Sequence, residues 1–333
     1  MISKVIFPQE AARLDRLAIQ EGCSEEFFVE EAGKKVAGHV LRWAPKKVAL
    51  LVGKGNKGAD CLACGIALIA KGIEVEAFFF FSPDTSSPIN RKLRDLFSKQ
   101  GKVVEIWQGE KCAFHADLLV DGLFGTGFTG SIQGVAEMGI RVANHSMIPM
   151  IAIDLPSGVN GTTGAVETVA ICAKETVALG FAKIGCFLRD GWNHVGKIWV
   201  EDFGLPEKYQ KMAHAVAWLP GEKEFILPKI VRNRHKYQAG YLIGVAGSSL
   251  MKGAPKLAGL AALRTGAGIV RIFHTGDIGE IPYELIAEKW NLKKLQQEMK
   301  RAAALFIGPG MGKRSLRWLE KVSIPVVIDA DGL

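Results

Sequence analysis

A short apolar run, Lys47–Val52 (KVALLV), stops at Gly53 and passes straight into Gly-Lys-Gly-Asn-Lys-Gly and a helical pattern. Strand, glycine turn, helix is the feature that most limits the fold. A strand that feeds a helix returns to its sheet only as a parallel neighbour, through a crossover. The rhythm recurs. Glu74–Phe81, Lys102–Trp107, Ala116–Val120, Met150–Ile153, Thr176–Gly180 and Lys197–Glu201 read as strands, with helices predicted over Asp60–Lys71 and Asn90–Gln100. Residues 8–43, opening near Pro8, read as helical. The pattern predicts an α/β fold with a parallel sheet covered on both faces.

A break follows Pro206. Residues 207–235 are rich in Lys, Glu and Pro, and a second β–α pattern opens at Tyr241–Val245. A helix is predicted over Ala254–Thr265, and strands over Ile269–Phe273, Ala304–Ile307 and Val326–Ile328. Two domains are expected, residues 1–212 and 213–333, which suits a chain of 333 residues. The last strand runs into Asp329-Ala330-Asp331-Gly332-Leu333, so the second domain reads as incomplete.

Charge narrows the choice of ligand. The formal net charge is +8, spread along the chain with mild clustering at Arg42–Lys54 and Arg232–Lys236. That balance favours an anionic small ligand. It does not suggest nucleic acid, since no basic stripe carries interleaved aromatics. No apolar run of about 18 residues occurs, so no membrane span is expected. No basic segment leading into an apolar one opens the chain, so a secretory signal is not expected either. The six cysteines form no disulfide-like framework. Cys61 and Cys64 fall in a helix and read as small buried residues rather than a redox or metal pair. A reducing cytoplasm fits.

Three loops carry candidate chemistry. Gly53 to Gly58 matches G-x-G-x-x-G, a turn that brings backbone N–H groups and a helix N-terminus up to a pyrophosphate. An ordinary tight turn gives the same pattern. A dehydrogenase would add a ribose-binding acid near the end of the second strand, but that strand ends Phe78-Phe79-Phe80-Phe81 and Asp84 comes late. The second loop runs from Asp121 through Gly125-Thr126-Gly127-Phe128-Thr129-Gly130, with a carboxylate at a strand's carboxyl end. Asp121 suits a cation or a ribose, or a plain turn. The third is Asp154-Leu155-Pro156-Ser157-Gly158, where Asp154 is a candidate acid/base and a β-turn is the plain alternative. Three such loops, each at a strand's end, point together to a binding crevice.

Together these loops resemble the NAD(P)H-hydrate epimerase family from about residue 8 to 206. Val29-Glu30-Glu31-Ala32-Gly33 is similar to its M-E-x-A-G helix, and Asn56 to Asp60 to its N-N-G-G-D. Val120 to Gly127 matches V-D-A-L-F-G-T-G, Asp154 to Gly158 matches D-I-P-S-G, and Thr176 to Gly185, with Lys183, follows T-V-T-F-x-x-x-K-x-G. The resemblance implies a Rossmann-like three-layer sandwich and epimerisation of hydrated NADH and NADPH. It implies nucleotide contacts at Asn56, Lys57, Gly58, Ala59 and Asp60, at Gly125, Thr126, Gly127, Phe128, Thr129, Gly130 and Ser131, and at Asp154. Asp121 and Ser157 would hold a potassium ion. Asp154 is the expected catalytic residue. Two departures stand out. Lys57 replaces an Asn that ligates the cation, and its ammonium is expected to take the ion's place. Ala59 replaces a glycine and adds a methyl expected near the phosphate path.

The second domain resembles the ADP/ATP-dependent NAD(P)H-hydrate dehydratases, which have a ribokinase-like fold. The likeness lies in His235-Lys236, Gly247 to Pro255, Ala261 to Gly268, Gly308 to Gly312 and Val327 to Gly332. Ala254 and Gly310 fall at substrate-contact positions. The family's later T-P-H-x-G-E and G-S-G-D loops have no counterpart before Leu333, so this partial domain is expected not to catalyse dehydration by itself. The leading expectation is a repair isomerase fused to a partial dehydratase. The alternative is a non-catalytic nucleotide-binding or interaction module. A homo-oligomer is left open, since nothing in the sequence specifies one.

Overall fold

The computed structural model describes residues 3–104, 114–221, 224, 226, 229 and 231–333. The chain forms two compact units, Met1–Ile226 and Leu227–Leu333.

The first unit runs β1 (Ser3–Ile6), α1 (Pro8–Gln20), α2 (Glu25–Leu41), β2 (Lys47–Val52), α3 (Asn56–Ile69), β3 (Glu74–Phe79), α4 (Pro88–Ser98) and β4 (Lys102–Val104). It continues with β5 (Leu118–Gly122), α5 (Gly134–His145), β6 (Met150–Ile153), β7 (Glu175–Leu179), β8 (Ala182–Lys183), α6 (Gly191–His194), β9 (Lys197–Glu201), α7 (Glu207–Met212) and β10 (Ala217–Leu219). The main sheet is parallel throughout, in the order β4-β3-β2-β5-β6-β7-β9. Order reverses between β2 and β5, which opens a crevice at the strands' carboxyl ends.

Alternation along β2 builds the sandwich. Val48, Leu50 and Val52 face α2, α3 and α4, through Val36, Leu62, Leu68 and Phe97. Ala49 and Leu51 face α5, through Ala136, Ile140 and Ala143. Both faces are covered, so β2 is apolar at nearly every position. The α2–α3 contact is close: a Cβ on Gly33 would lie 2.5 Å from the Ala63 Cβ. Cys61 and Cys64 sit on α3, both fully buried in this core. Among the described residues no helix is long and apolar enough to cross a membrane.

Residues 8–43 form two helices rather than one. Gly22 takes φ +98° between them, and Ser24 caps α2 by accepting from the Phe27 N–H at 3.2 Å. The predicted strand over Lys102–Trp107 is seen as Lys102–Val104, and its remainder lies outside the described residues. A second small sheet, in the order β10-β1-β8, was not expected. It carries the first unit past residue 212, because Ala217–Leu219 pairs antiparallel with β1.

The second unit runs β11 (Tyr241–Val245), α8 (Ala254–Arg264), β12 (Ile269–His274), β13 (Ile286–Lys289), α9 (Leu292–Met299), β14 (Ala304–Ile307) and β15 (Val326–Ile328). Its sheet is parallel, in the order β13-β12-β11-β14-β15. The loops after β11 and β14 therefore meet at this sheet's own reversal point. A Cβ on Gly310 would lie 3.1 Å from the Ala254 Cβ, so the two expected contact positions come together there.

Candidate functional site

The loops after β2, β5 and β6 close around one cleft of about 600 Å³ at the reversal point of the first sheet. Asn56, Lys57, Asp60, Gly125, Thr126, Gly127, Phe128 and Asp154 line it. Its remaining wall is largely apolar, from α1, α2 and the segment around Phe181 and Phe203.

The first loop is held from behind by α4. Asn90 Nδ2 donates to the carbonyls of Gly53 (2.9 Å) and Gly55 (3.0 Å). Gly53 must lack a side chain, since a Cβ there would lie 1.8 Å from the Leu123 carbonyl oxygen. No side chain caps the start of α3 at Gly55, so its first N–H groups can donate to an anionic group.

Lys57 points inward from that first turn. Its Nζ donates to the Leu155 carbonyl (2.6 Å), the Phe124 carbonyl (3.0 Å), Asp121 Oδ2 (3.1 Å) and Ser157 Oγ (3.1 Å). Asp121 also accepts from the Ser157 N–H (2.8 Å), the Leu123 N–H (3.1 Å) and the Ser157 hydroxyl (2.5 Å). Asp121 and Ser157 have no solvent exposure, so neither is open to a ribose. A potassium ion at this position does not fit: the lysine nitrogen already stands at the centre of the oxygens.

Asp154 sits at the mouth of the third loop with φ +63°, a left-handed conformation rare outside glycine. Its N–H donates to the Val177 carbonyl at 2.7 Å, and that tie to β7 helps hold the turn. Backbone strain of this kind concentrates at functional sites. Oδ1 accepts from the Leu179 N–H at 3.1 Å and is ion-paired with Lys183. Oδ2 accepts no hydrogen bond among the described residues. Lys183, 2% exposed, is carried by β8 and fixed by the pairing of β8 with β1.

Two more acids share the cleft. Burial pushes Asp15, on α1, up to about 6, against the opposing pull of Lys183. Burial likewise raises Asp60 well above the usual carboxylate range, aided by the charges of Asp154 and Asp15. Perturbed acids gathered in one cleft mark a functional site. The sequence reading gave no role to Asp15 or Lys183. A signal for Asp15 exists: Ala11, Asp15 and Ile19 recur at four-residue steps, placing one acid on an otherwise apolar face of α1.

Comparison with known proteins decides the family. The family model described as the YjeF-related protein N-terminus matches residues 25–185, and that of NAD(P)H-hydrate dehydratase matches residues 242–333. The bifunctional NAD(P)H-hydrate repair enzyme Nnr of Thermofilum pendens is 30% identical, covering 99% of this chain and 68% of that protein. The chain belongs to the bifunctional NAD(P)H-hydrate repair enzyme family.

The Nnr enzyme of Moorella thermoacetica is similar at 29% identity, over 97% of this chain and 68% of its own length. The crystal structure of the yeast protein ynu0 shares the fold, with a TM-score of 0.56 at 21% identity, over 66% of this chain and 97% of that one. The fold is thus Rossmann-like in the first unit, followed by a ribokinase-like unit.

Within this repair-enzyme chain some expected contacts lie off the cleft wall. Gly58 and Ala59 are buried and do not line it; Gly58 packs against the Gly53 carbonyl and Asn90. The Ala59 methyl packs with Val29, Ala63 and Ile89, not beside a phosphate path, because it points from the helix toward α2 and α4. Thr129, Gly130 and Ser131 also fall outside the lining, and the Ser131 hydroxyl donates to Glu167 at 3.1 Å.

Proposed function

We propose that the first unit epimerises the R and S forms of hydrated NADH and NADPH. The observation that carries this reading is Asp154, strained and paired with Lys183, in a cleft that the uncapped start of α3 also lines. The pyrophosphate lies against that helix start and the Gly125–Phe128 loop, which leaves the nicotinamide ring to reach Asp154.

The substrate carries a hydroxyl on the ring carbon next to the ring nitrogen. A proton from the Asp154–Lys183 pair passes to that hydroxyl. The C–O bond breaks, water departs, and the nitrogen lone pair forms the C=N⁺ bond. Water then adds to the opposite face and returns a proton to Asp154, so nothing is consumed. Burial raises the Asp60 carboxyl well above the usual range, so it adds less negative charge around the pair than an ordinary carboxylate would.

The loops after β11 and β14 supply the matching proposal for the second unit. Ala254 and Gly310 belong to a site for the same hydrated nucleotide, served in the family's dehydratase reaction by ADP or ATP. No nucleic-acid or membrane partner is proposed. A cytoplasmic location agrees with the free, buried thiols of Cys61, Cys64 and Cys186.

The direct test supplies the pure R form and follows the R-to-S ratio with time. Approach to equilibrium faster than without protein supports the epimerase. Nucleotide binding with no change in the ratio favours a non-catalytic module.

A further inference from the structure

We propose that the Lys57 ammonium is a built-in monovalent cation, so that the loops after β5 and β6 assemble without a bound potassium or sodium ion. The oxygens around Nζ come from separate places along the chain. Asp121 ends β5, the Phe124 carbonyl lies in the loop that follows, and the Leu155 carbonyl and Ser157 hydroxyl lie beyond β6. One carboxylate, one hydroxyl and two carbonyls form a set of hard oxygens with a single negative charge. A monovalent cation balances such a set, and an ammonium is close to potassium in size.

Local preference does not explain this lysine. Its position in the first turn of α3 faces the positive end of the helix dipole, where a cation is disfavoured. Its side chain is 4% exposed, and burying a charge is costly unless it is paired and hydrogen-bonded. The four acceptors meet that cost. They also tie the start of α3 to both other loops of the cleft. Because the cation is covalently attached, its occupancy does not vary with the salt around the protein. A metal ion could enter only by displacing Nζ, and the ejected ammonium would face the cleft.

The test compares thermal unfolding of the native chain and Lys57→Asn in potassium chloride and in choline chloride at equal ionic strength. The native midpoint is expected to be the same in both salts. Lys57→Asn is expected to unfold several degrees lower in choline and to recover by several degrees once potassium exceeds its Kd by about 100-fold, rising with the logarithm of its concentration. A potassium-specific rise in the native chain, absent in choline, would overturn the proposal. So would a Lys57→Asn midpoint equal to the native one in choline. Should that variant not fold, thallium(I) soaked into native crystals decides. A thallium peak among the four oxygens refutes the built-in cation, and their remaining around Nζ alone upholds it. These readouts need no substrate, so they stand apart from the epimerase assay.

Discussion

Lys57 Nζ lies 3.1 Å from Asp121 Oδ2 with both side chains buried, and this pair joins the first turn of α3 to the end of β5. Removing one member of a buried pair strands the other charge. Lys57→Met is therefore expected to lose about 3–5 kcal/mol of stability. The double variant Lys57→Met/Asp121→Asn should lose less, because no uncompensated carboxylate remains. Urea unfolding of the two variants checks the order.

Gly53 is where the first loop passes closest to the second. Gly53→Ala would set a methyl 1.8 Å from the Leu123 carbonyl oxygen, a backbone atom with no room to yield. The expected cost is about 3 kcal/mol or more, with weaker nucleotide binding. Denaturation midpoints and nucleotide titration measure both.

Asp15 gives the fold a pH dependence. The folded state keeps its proton up to about pH 6, whereas the unfolded chain releases it near 3.8. The resulting stabilisation is full below pH 3.8 and is lost as pH rises through 6, a change of about 3 kcal/mol. Asp15→Asn should then match the native chain near pH 4 and exceed its stability at pH 8. Denaturant midpoints at pH 4, 6 and 8 report the difference directly.

Thiol reactivity follows burial. Burial raises the thiols of Cys61 and Cys64, and pushes Cys186 up to about 12, whereas Cys172 is exposed. A thiol-specific reagent should label Cys172 in the folded chain and reach Cys61 and Cys64 only on unfolding. Peptide mapping of the labelled protein identifies the sites.

Much of this was legible in sequence because the main strands are central and apolar on both faces. KVALLV can hardly be anything else. Its three companion loops carry Gly, Asp and Ser where a crevice needs them. The short strands β1, β8 and β10 left no such mark. They form a sheet of their own, and β8 is only two residues long. Helix α5 was not predicted either. Its buried stripe is Ala136, Gly139, Ile140 and Ala143, at helical spacing on an amphipathic helix, so the signal was present and went unread. Those omissions also hid the role of Lys183, visible in sequence only as a motif match, since β8 carries it to Asp154. Ala59 misled for a different reason. Its place in a nucleotide loop suggested the cleft, but the helix begins at Asn56, and the turn rotates Ala59 into the packing with α2 and α4. By contrast, the substitution of Lys57 for a cation ligand could be read as charge replacement, because its Asp121 and Ser157 partners were themselves recognisable.

The proposed epimerisation turns on Asp154, and one measurement addresses that residue most directly. Native chain and Asp154→Asn are each given the R form of hydrated NADH, with an S-specific dehydratase in excess, and recovery of NADH is followed. Native protein should restore NADH well above the spontaneous rate, and Asp154→Asn should fall by roughly 100-fold or more while remaining folded and still binding nucleotide. An Asp154→Asn chain that epimerises at the native rate would contradict the assignment.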